Sequence, residues 1–270
     1  MKDLLRKVSS RTTLVLFCMF AMLWALPGIA ATDQPTKPTI VLVHGAFADG
    51  SSWSKVIPLL EGDGYNVIAV QNPLTSFADD VATTRRVIDA QQGPVVVVGH
   101  SYGGAVITTA AAGAPNVKGL VYIAAFAPDA GEVIQALLEK YPSPLGAALV
   151  PDAAGFLYVD RAKFKDVFAA DVPDRERSVM AATQKPIKGE IFGQKFEAPA
   201  WKQIPSWYLV ATQDHAINPE LERMFAKRMG ATTHEVNSSH VPFMSKPTAV
   251  VGIIEEAAAG ALKTTAALQK

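Results

Sequence analysis

The stretch VVVVGHSYGG, residues 95–104, joins four consecutive valines to a serine enclosed by glycines. The β-branched run predicts a fully buried strand of a parallel sheet, and the alanine-rich segment 105–112 predicts a helix. The pattern Gly99-x-Ser101-x-Gly103 is typical of a nucleophile elbow, a sharp turn that points a serine hydroxyl out of the sheet edge. Glycine suits both flanking positions because a side chain there would crowd the neighbouring strand or helix. The stretch therefore predicts a nucleophilic serine beside the N–H groups of a helix N-terminus.

The composition is that of one globular domain with a large core. The chain has 270 residues, of which 49% are hydrophobic and 19% are charged, enough for the core of an α/β domain. The formal net charge is zero, so the charge balance does not point to a nucleic acid or an anionic surface as partner. The expected partner is a small molecule, and the sequence leaves the oligomeric state open.

The N-terminal segment has the three parts of a secretory signal peptide. Basic residues precede an apolar run of 13 residues at positions 14–26, and small residues follow at positions 27–31. This order predicts a signal peptide over residues 1–30 and an exported chain, periplasmic or secreted, whose mature form is free of the membrane. An uncleaved anchor is the alternative, although a membrane span needs roughly 20 residues.

The single cysteine, Cys18, lies inside this apolar run. The exported chain would therefore hold no thiol, which excludes cysteine catalysis and thiolate metal sites for it. The histidines do not lie at metal-ligand spacing from carboxylates, and no glycine-rich dinucleotide loop joins a strand to a helix. The sequence therefore predicts an activity without cofactor or metal.

Strand patterns alternate with helical patterns four times before residue 125. Strands are predicted at 39–44, 65–70, 95–98, 117–124, 206–211 and 232–237, and helices at 52–61, 77–91, 105–112, 219–229 and 247–262. The alternation predicts the α/β class, with a doubly wound, mostly parallel sheet covered by helices on both faces. The charged residues of the second helix, Asp79, Asp80, Arg85 and Arg86, are expected on a solvated face.

The alternation stops between residues 131 and 204, where short helical patterns, prolines and scattered aromatic residues occur instead. We interpret this segment as a small, mostly helical lid, inserted after the strand that follows the elbow helix. Residues 31–130 and 205–270 then form the core. The lid would cover the carboxyl edge of the sheet, where open α/β sheets bind their ligands. The residues expected to line a substrate pocket there are Phe47, Phe156, Tyr158, Phe192 and Trp201.

A serine alcohol needs a base to take its proton, and the base needs a carboxylate to fix its tautomer. In a doubly wound sheet these partners come from loops at the edge that carries Ser101. His240 leaves the last predicted strand and is the expected base. Asp214 follows the strand before it and is the expected acid, with Asp129 as the alternative. The chain order Ser, Asp, His is the one known for nucleophile elbows in such sheets.

The other four histidines are given different positions. His44 is expected to be a buried structural residue, and His100 is expected to point away from a substrate bound at Ser101. His215 is assigned to the surface or the pocket, and His234 to a solvent-facing position in a strand.

The first strand of the predicted core ends in His44-Gly45-Ala46. The small residue after the glycine lets the backbone N–H of Ala46 face the site. Together with the N–H of Tyr102, it would form an oxyanion hole with two donors.

Five segments carry a resemblance to a known family: HGAFADGSSW, VVVVGHSYGGAVI, LVYIAAFAPDAGE, YLVATQDHAI and SSHVPFMSKPTAV. They resemble the α/β-hydrolase superfamily, and more narrowly its branch of small serine esterases, plant methyl-ester esterases and hydroxynitrile lyases. The resemblance covers roughly residues 39–260 and is weak in the lid. It implies an α/β-hydrolase fold, with Ser101 as nucleophile, His240 as base and Asp214 as acid.

The resemblance implies hydrolysis of a small, largely apolar carboxylic ester. The plant lyases place a threonine after the first-strand histidine and a lysine after the catalytic histidine, where this chain has Gly45 and Val241. The lysine that would stabilise a leaving cyanide is absent. A cofactor-free haloperoxidase or perhydrolase, a hydroxynitrile-lyase-like activity and a non-catalytic ligand-binding protein remain alternatives.

Overall fold

A computed structural model describes residues 37–268 of the chain. The predicted signal peptide lies outside the described residues, so its cleavage and the exported location stay predictions. The strands of the described part are β1 (Thr39–Val43), β2 (Val67–Val70), β3 (Val95–His100), β4 (Val117–Ile123), β5 (Leu149–Pro151), β6 (Phe156–Val159), β7 (Ile187–Lys188), β8 (Ser206–Ala211) and β9 (Thr232–Val236).

Six of these strands form one central sheet in the order β2-β1-β3-β4-β8-β9. Every neighbouring pair in it is parallel. The valines of β3 pair with β1 on one side and β4 on the other, and all six residues of β3 are buried. A strand covered on both faces reads as a continuous apolar run, which explains why the sequence predicts it so directly. The predicted α/β class with a parallel sheet is confirmed.

The α-helices of the described part are α1 (Ile57–Gly62), α2 (Phe77–Asp89), α3 (Tyr102–Ala110), α4 (Ile134–Lys140), α5 (Phe164–Phe168), α6 (Asp174–Thr183), α7 (Pro219–Met229), α8 (Pro242–Ser245) and α9 (Pro247–Leu268). Helix α3 packs against α2 and β3, whereas α9 packs against β4, β3 and β8. None of the helices in residues 37–268 is long and apolar enough to cross a membrane.

One residue of α2 differs from its predicted environment. Asp80 was expected on the solvated face, but it is fully buried. One of its carboxylate oxygens accepts from the Leu74 backbone N–H at 2.8 Å and the other from the Tyr102 hydroxyl at 2.7 Å. The hydrogen bonds explain how the carboxyl is tolerated there, and burial raises its pKa above the ordinary value for aspartate. Asp80 thus connects α2 to the residue that follows Ser101.

The segment predicted as the lid contains helices α4, α5 and α6, several short 3₁₀ turns, and a small sheet that the sequence did not predict. Strand β6 pairs antiparallel with β5 on one side and β7 on the other. Strands of two to four residues are too short to show an alternating apolar pattern, which explains the omission. The segment contacts the core through Ser143, whose hydroxyl donates to the Ala216 carbonyl.

Candidate active site

Ser101 lies between the end of β3 and the start of α3 in a strained backbone conformation. Its φ and ψ are 53° and −123°, a region that residues with a side chain rarely adopt. Three backbone hydrogen bonds hold it there: its N–H donates to Ile123, and its carbonyl accepts from Gly104 and Phe126. The strain is thus sustained by the surrounding sheet, and it directs the hydroxyl to the carboxyl edge.

The flanking glycines are required by close backbone approach, as the sequence predicts. A Cβ on Gly99 would lie 2.7 Å from the carbonyl oxygen of Gly103. A Cβ on Gly103 would lie 2.5 Å from the carbonyl oxygen of Val43. Side chains do not fit at these distances, so the turn between β3 and α3 closes only with glycine at both positions.

The structure brings Ser101, His240 and Asp214 together. The Nε2 atom of His240 lies 2.9 Å from the Ser101 hydroxyl, and its Nδ1 atom lies 2.5 Å from a carboxylate oxygen of Asp214. With Nδ1 protonated and donating to the carboxylate, Nε2 is free to accept the hydroxyl proton. All three side chains are buried, although Ser101 retains contact with a cavity.

The carboxylate of Asp214 is oriented by the chain that follows it. The oxygen that does not face His240 accepts from the backbone N–H groups of Ala216 and Ile217, at 2.6 and 2.9 Å. The alternative acid, Asp129, instead pairs with Lys202 at 2.5 Å at the partly exposed start of the lid segment. Of the two candidate acids, Asp214 is the one in contact with His240.

The backbone N–H groups of Ala46 and Tyr102 are the two donors predicted for an oxyanion hole. Both residues line the same cavity as Ser101. Neither N–H group donates to another group within residues 37–268. The N–H of Tyr102 belongs to the first residue of α3, where helical geometry provides no acceptor. Two free donors beside a serine hydroxyl are what an oxyanion hole requires.

His44 and His100 are buried and neutral, and each holds backbone near the site. His44 accepts from the Asn72 N–H through Nε2 and donates to the Gly45 carbonyl through Nδ1. Burial lowers its pKa to about 4. His100 donates from Nε2 to the His240 carbonyl at 2.8 Å, and burial keeps its pKa well below the ordinary value. His44 therefore has the structural position expected for it.

The remaining two histidines lie away from Ser101. His215 is exposed and its Nδ1 atom contacts the carbonyl of Asp166. His234 lies on β9 with more than half of its side chain exposed, and it contacts Glu256. The positions predicted for both agree with these contacts.

Ser101 opens into a cavity of about 500 Å³, called here the inner cavity. Its floor is formed by the core residues Ala46, Ser101, Tyr102 and His240. Its walls are mostly apolar and come largely from the lid segment, with Leu138, Leu145, Leu149 and Leu157 among them. The described residues that line it include no lysine or arginine. The arrangement suits a small, largely apolar ligand without a negative charge.

Two of the five residues predicted for the pocket line the inner cavity, namely Phe47 and Phe192. Phe156 and Tyr158 do not, because they flank Leu157 on β6, and alternate residues of a strand point to opposite faces. Trp201 does not either: its indole N–H donates to the Pro128 carbonyl, and its ring packs on the guanidinium of Arg228.

Sequence reasoning did not identify Phe168, which lines the inner cavity and packs its ring against the His240 ring with centroids 4.9 Å apart. It was one of many aromatic residues in the lid segment. Nothing in its local pattern distinguishes it, because its proximity to His240 depends on how the segment folds over the sheet.

The chain matches known proteins over most of its length. A model of the alpha/beta hydrolase family matches residues 40–253. An alpha/beta hydrolase of Aspergillus novofumigatus is 26% identical over 251 residues, which cover 84% of this chain and 99% of that protein. Methylesterase 8 of Arabidopsis thaliana is 25% identical, and the match covers 82% of this chain and 89% of that protein.

The fold is also found among solved structures. The crystal structure of a pyrethroid hydrolase from Sphingobium faniae superposes with a TM-score of 0.72 at 24% identity, covering 83% of this chain and 98% of that one. At this identity the likeness concerns the fold alone. With the family model matching well over half of its residues, the chain belongs to the alpha/beta hydrolase family.

Proposed function

We propose that this enzyme is a serine esterase that cleaves small, largely apolar carboxylic esters through an acyl-enzyme. The observation that carries the proposal is the unbroken hydrogen-bonded chain from Ser101 through His240 to Asp214 at the floor of the inner cavity. A protein that only binds a ligand has no need for this order of nucleophile, base and acid. A relative named as a methylesterase adds support.

The first half of the reaction would transfer the acyl group to the enzyme. The Ser101 oxygen attacks the ester carbonyl carbon, and Nε2 of His240 takes the hydroxyl proton. The negative charge that forms on the carbonyl oxygen is stabilised by the N–H groups of Ala46 and Tyr102. The bond to the alcohol oxygen then breaks, and His240 gives its proton to the leaving alcohol. Asp214 stays ionised and stabilises the imidazolium.

The second half would release the acid by the same groups. A water molecule attacks the acyl carbon and gives a proton to Nε2 of His240. The same N–H groups stabilise the second tetrahedral intermediate. The bond to the Ser101 oxygen breaks, and that oxygen recovers the proton from His240. The products are one alcohol and one carboxylic acid, and the enzyme returns to its starting state.

The residues that line the inner cavity help to distinguish hydrolysis from the alternative reactions. A hydroxynitrile lyase would need a cation to stabilise a leaving cyanide. Val241 follows His240 here and is fully buried, and no lysine or arginine lines the described part of the cavity. This favours hydrolysis over cyanide elimination. A perhydrolase uses the same triad and differs in requiring peroxide, so assays with and without peroxide separate the two.

Hydrolysis of p-nitrophenyl esters from acetate to decanoate by the purified chain tests the proposal. We expect turnover by the wild type, with Ser101→Ala lowering kcat by about 10⁴-fold or more. Ser178→Ala, at an exposed position of α6, is the matched control and should keep wild-type activity. Equal turnover by Ser101→Ala would remove the proposal, and peroxide-dependent turnover would favour the perhydrolase.

We also propose that the enzyme acts outside the cytoplasm after loss of residues 1–30, on the sequence pattern of its N-terminus. N-terminal sequencing of the protein recovered from the periplasm or the culture medium tests this. A start at residue 31 or 32 is expected. Retention of the full segment in a membrane fraction would support the anchor instead.

A further inference from the structure

A second cavity, of about 540 Å³, lies beside the inner cavity and is called here the outer cavity. Phe47 and Phe168 are the two residues that line both cavities within the described chain. Their rings meet edge to face with centroids 6.1 Å apart, and both residues are almost fully buried. The Phe47–Phe168 pair therefore forms the wall between the two cavities, with Ser101 on the inner side only.

The far side of this wall is an apolar surface with a polar margin. Val179, Met180, Phe243 and Met244 line the outer cavity, and more than half of Val179 is exposed. The margin holds the ion pair of Lys55 and Glu176 together with Asp49 and Arg175, so its two positive and two negative charges balance. The outer cavity thus suits an uncharged, apolar group.

The reaction chemistry decides which part of an ester faces the wall. The alcohol oxygen must lie within hydrogen-bond reach of His240 Nε2, because that atom protonates it as it leaves. The Phe168 ring packs directly on the His240 ring, with centroids 4.9 Å apart. An alcohol group leaving past His240 therefore approaches the Phe168 side of the inner cavity.

We propose that Phe168 determines specificity for the alcohol part of the ester, and that the outer cavity would accept a larger apolar alcohol once this ring is shortened. This inference rests on the proposed esterase function. The ring limits the alcohol by its volume, since it fills the space between His240 and the outer cavity. The acyl part occupies the remainder of the inner cavity and is independent of the wall.

Two series of esters separate these roles. One series keeps the acetyl group and enlarges the alcohol from ethyl to benzyl to naphthylmethyl; the other keeps p-nitrophenol and lengthens the acyl chain. In Phe168→Ala we expect the ratio of kcat/KM for the largest alcohol to that for the smallest to rise about tenfold or more. The acyl profile should stay within about twofold. A ratio within one variant cancels any general loss caused by removing the ring from His240.

Phe156→Ala is the matched control, because Phe156 belongs to the same lid segment but lines neither cavity. It should leave both profiles unchanged. Phe168→Leu provides a second variant that keeps apolar packing and shortens the side chain, and it should shift the alcohol ratio in the same direction. Melting temperatures of all variants establish that they are folded.

The outcomes are distinct. A shift confined to the alcohol series supports the inference. An unchanged alcohol ratio, or equal shifts in both series, overturns it while leaving the esterase intact. Absence of Ser101-dependent hydrolysis in the wild type overturns the esterase function itself, and the inference with it.

Discussion

His100, the residue before Ser101, is joined to the backbone of His240 by a hydrogen bond. The Nε2–H group of His100 donates to the His240 carbonyl at 2.8 Å, and the two rings lie with centroids 4.7 Å apart. Both residues are buried. Because Nε2 carries the proton, Nδ1 is unprotonated in the neutral ring. Burial lowers the pKa of His100 well below its ordinary value, which favours this neutral form. The turn that holds Ser101 thus also holds His240, the proposed base.

Removing this donor should weaken catalysis more than binding. In His100→Leu the His240 carbonyl loses its partner, which costs about 1–2 kcal/mol and corresponds to a fall in kcat of about tenfold. KM should change little, because His100 does not line the inner cavity. His100→Gln, whose amide can donate to the same carbonyl, should recover most of the activity. Equal kcat for both variants would mean that the bond does not position His240.

The two candidate acids give opposite expectations. In Asp214→Asn the amide cannot stabilise the imidazolium and favours the wrong tautomer of His240, so kcat should fall by about 10⁴-fold. In Asp129→Asn only the ion pair with Lys202 at the margin of the lid segment is lost, so kcat should stay within about twofold of wild type. Steady-state kinetics on one ester measures both. A larger loss in Asp129→Asn would reassign the acid.

Sequence alone identified the parts of the enzyme that depend on local pattern. The four valines of β3 are buried on both faces, and the glycines beside Ser101 are fixed by contacts below 3 Å. These constraints fall on neighbouring residues of one short stretch, so they leave a pattern that can be recognised in the sequence. His240 and Asp214 followed from the rule that loops at one sheet edge meet.

The surroundings of three side chains depend on long-range packing and were not predicted. Asp80 resembles the other charged residues of α2, and its burial is explained by its hydrogen bonds with Leu74 and with Tyr102, 22 positions away. Phe156 was chosen for the pocket instead of Leu157, because β6 is too short to reveal which face turns inward. Phe168 contacts His240 across 72 residues of chain, and no local sequence pattern marks that contact.

His44 should make the fold less stable in mild acid. Its pKa is about 4 in the folded chain and about 6.5 when unfolded, so the unfolded state binds its proton first as the pH falls. The stability from neutral His44 is therefore complete above pH 6.5 and lost towards pH 4, by about 3 kcal/mol in total. In His44→Gln the fall in unfolding free energy between pH 6.5 and 4 should be smaller by up to this amount.

Urea unfolding at several pH values measures the effect of His44, and His234→Gln is the control. His234 is largely exposed, so its replacement controls for the exchange of a histidine for a glutamine. Parallel slopes for wild type and His44→Gln would contradict the assignment, because they would mean that the imidazole takes up its proton equally well in the folded state.

Glu222 should make the fold less stable as the pH rises rather than as it falls. It is fully buried on α7, where one carboxyl oxygen accepts from the Ala211 N–H at 3.0 Å and the other has no partner in the described chain. Burial, with the nearby Asp214 carboxylate as a second cause, raises its pKa well above the ordinary value. The nearby charge of Arg223 opposes the shift only in part. Burial therefore favours the neutral form of Glu222, which lies beneath the turn that carries Asp214.

A raised pKa means that the folded state holds this proton more tightly than the unfolded state. As the pH rises above about 4.5, the unfolded chain loses the proton first, and the unfolding free energy falls until the pH passes the folded pKa. Glu222→Gln keeps a neutral group with the same acceptor and cannot ionise. The melting temperature of Glu222→Gln relative to wild type should therefore rise as the pH increases from 5.

Glu220→Gln is the matched control for this measurement, because Glu220 lies on the same helix with its side chain 69% exposed. Thermal unfolding of the three proteins at pH 5, 6, 7 and 8 gives the comparison. A constant difference between Glu222→Gln and wild type would show that Glu222 is already ionised when folded, and the carboxylate beside Asp214 would then need a compensating cation. Since Arg223 already pairs with Glu220 and Glu235 at the surface, we expect the neutral acid.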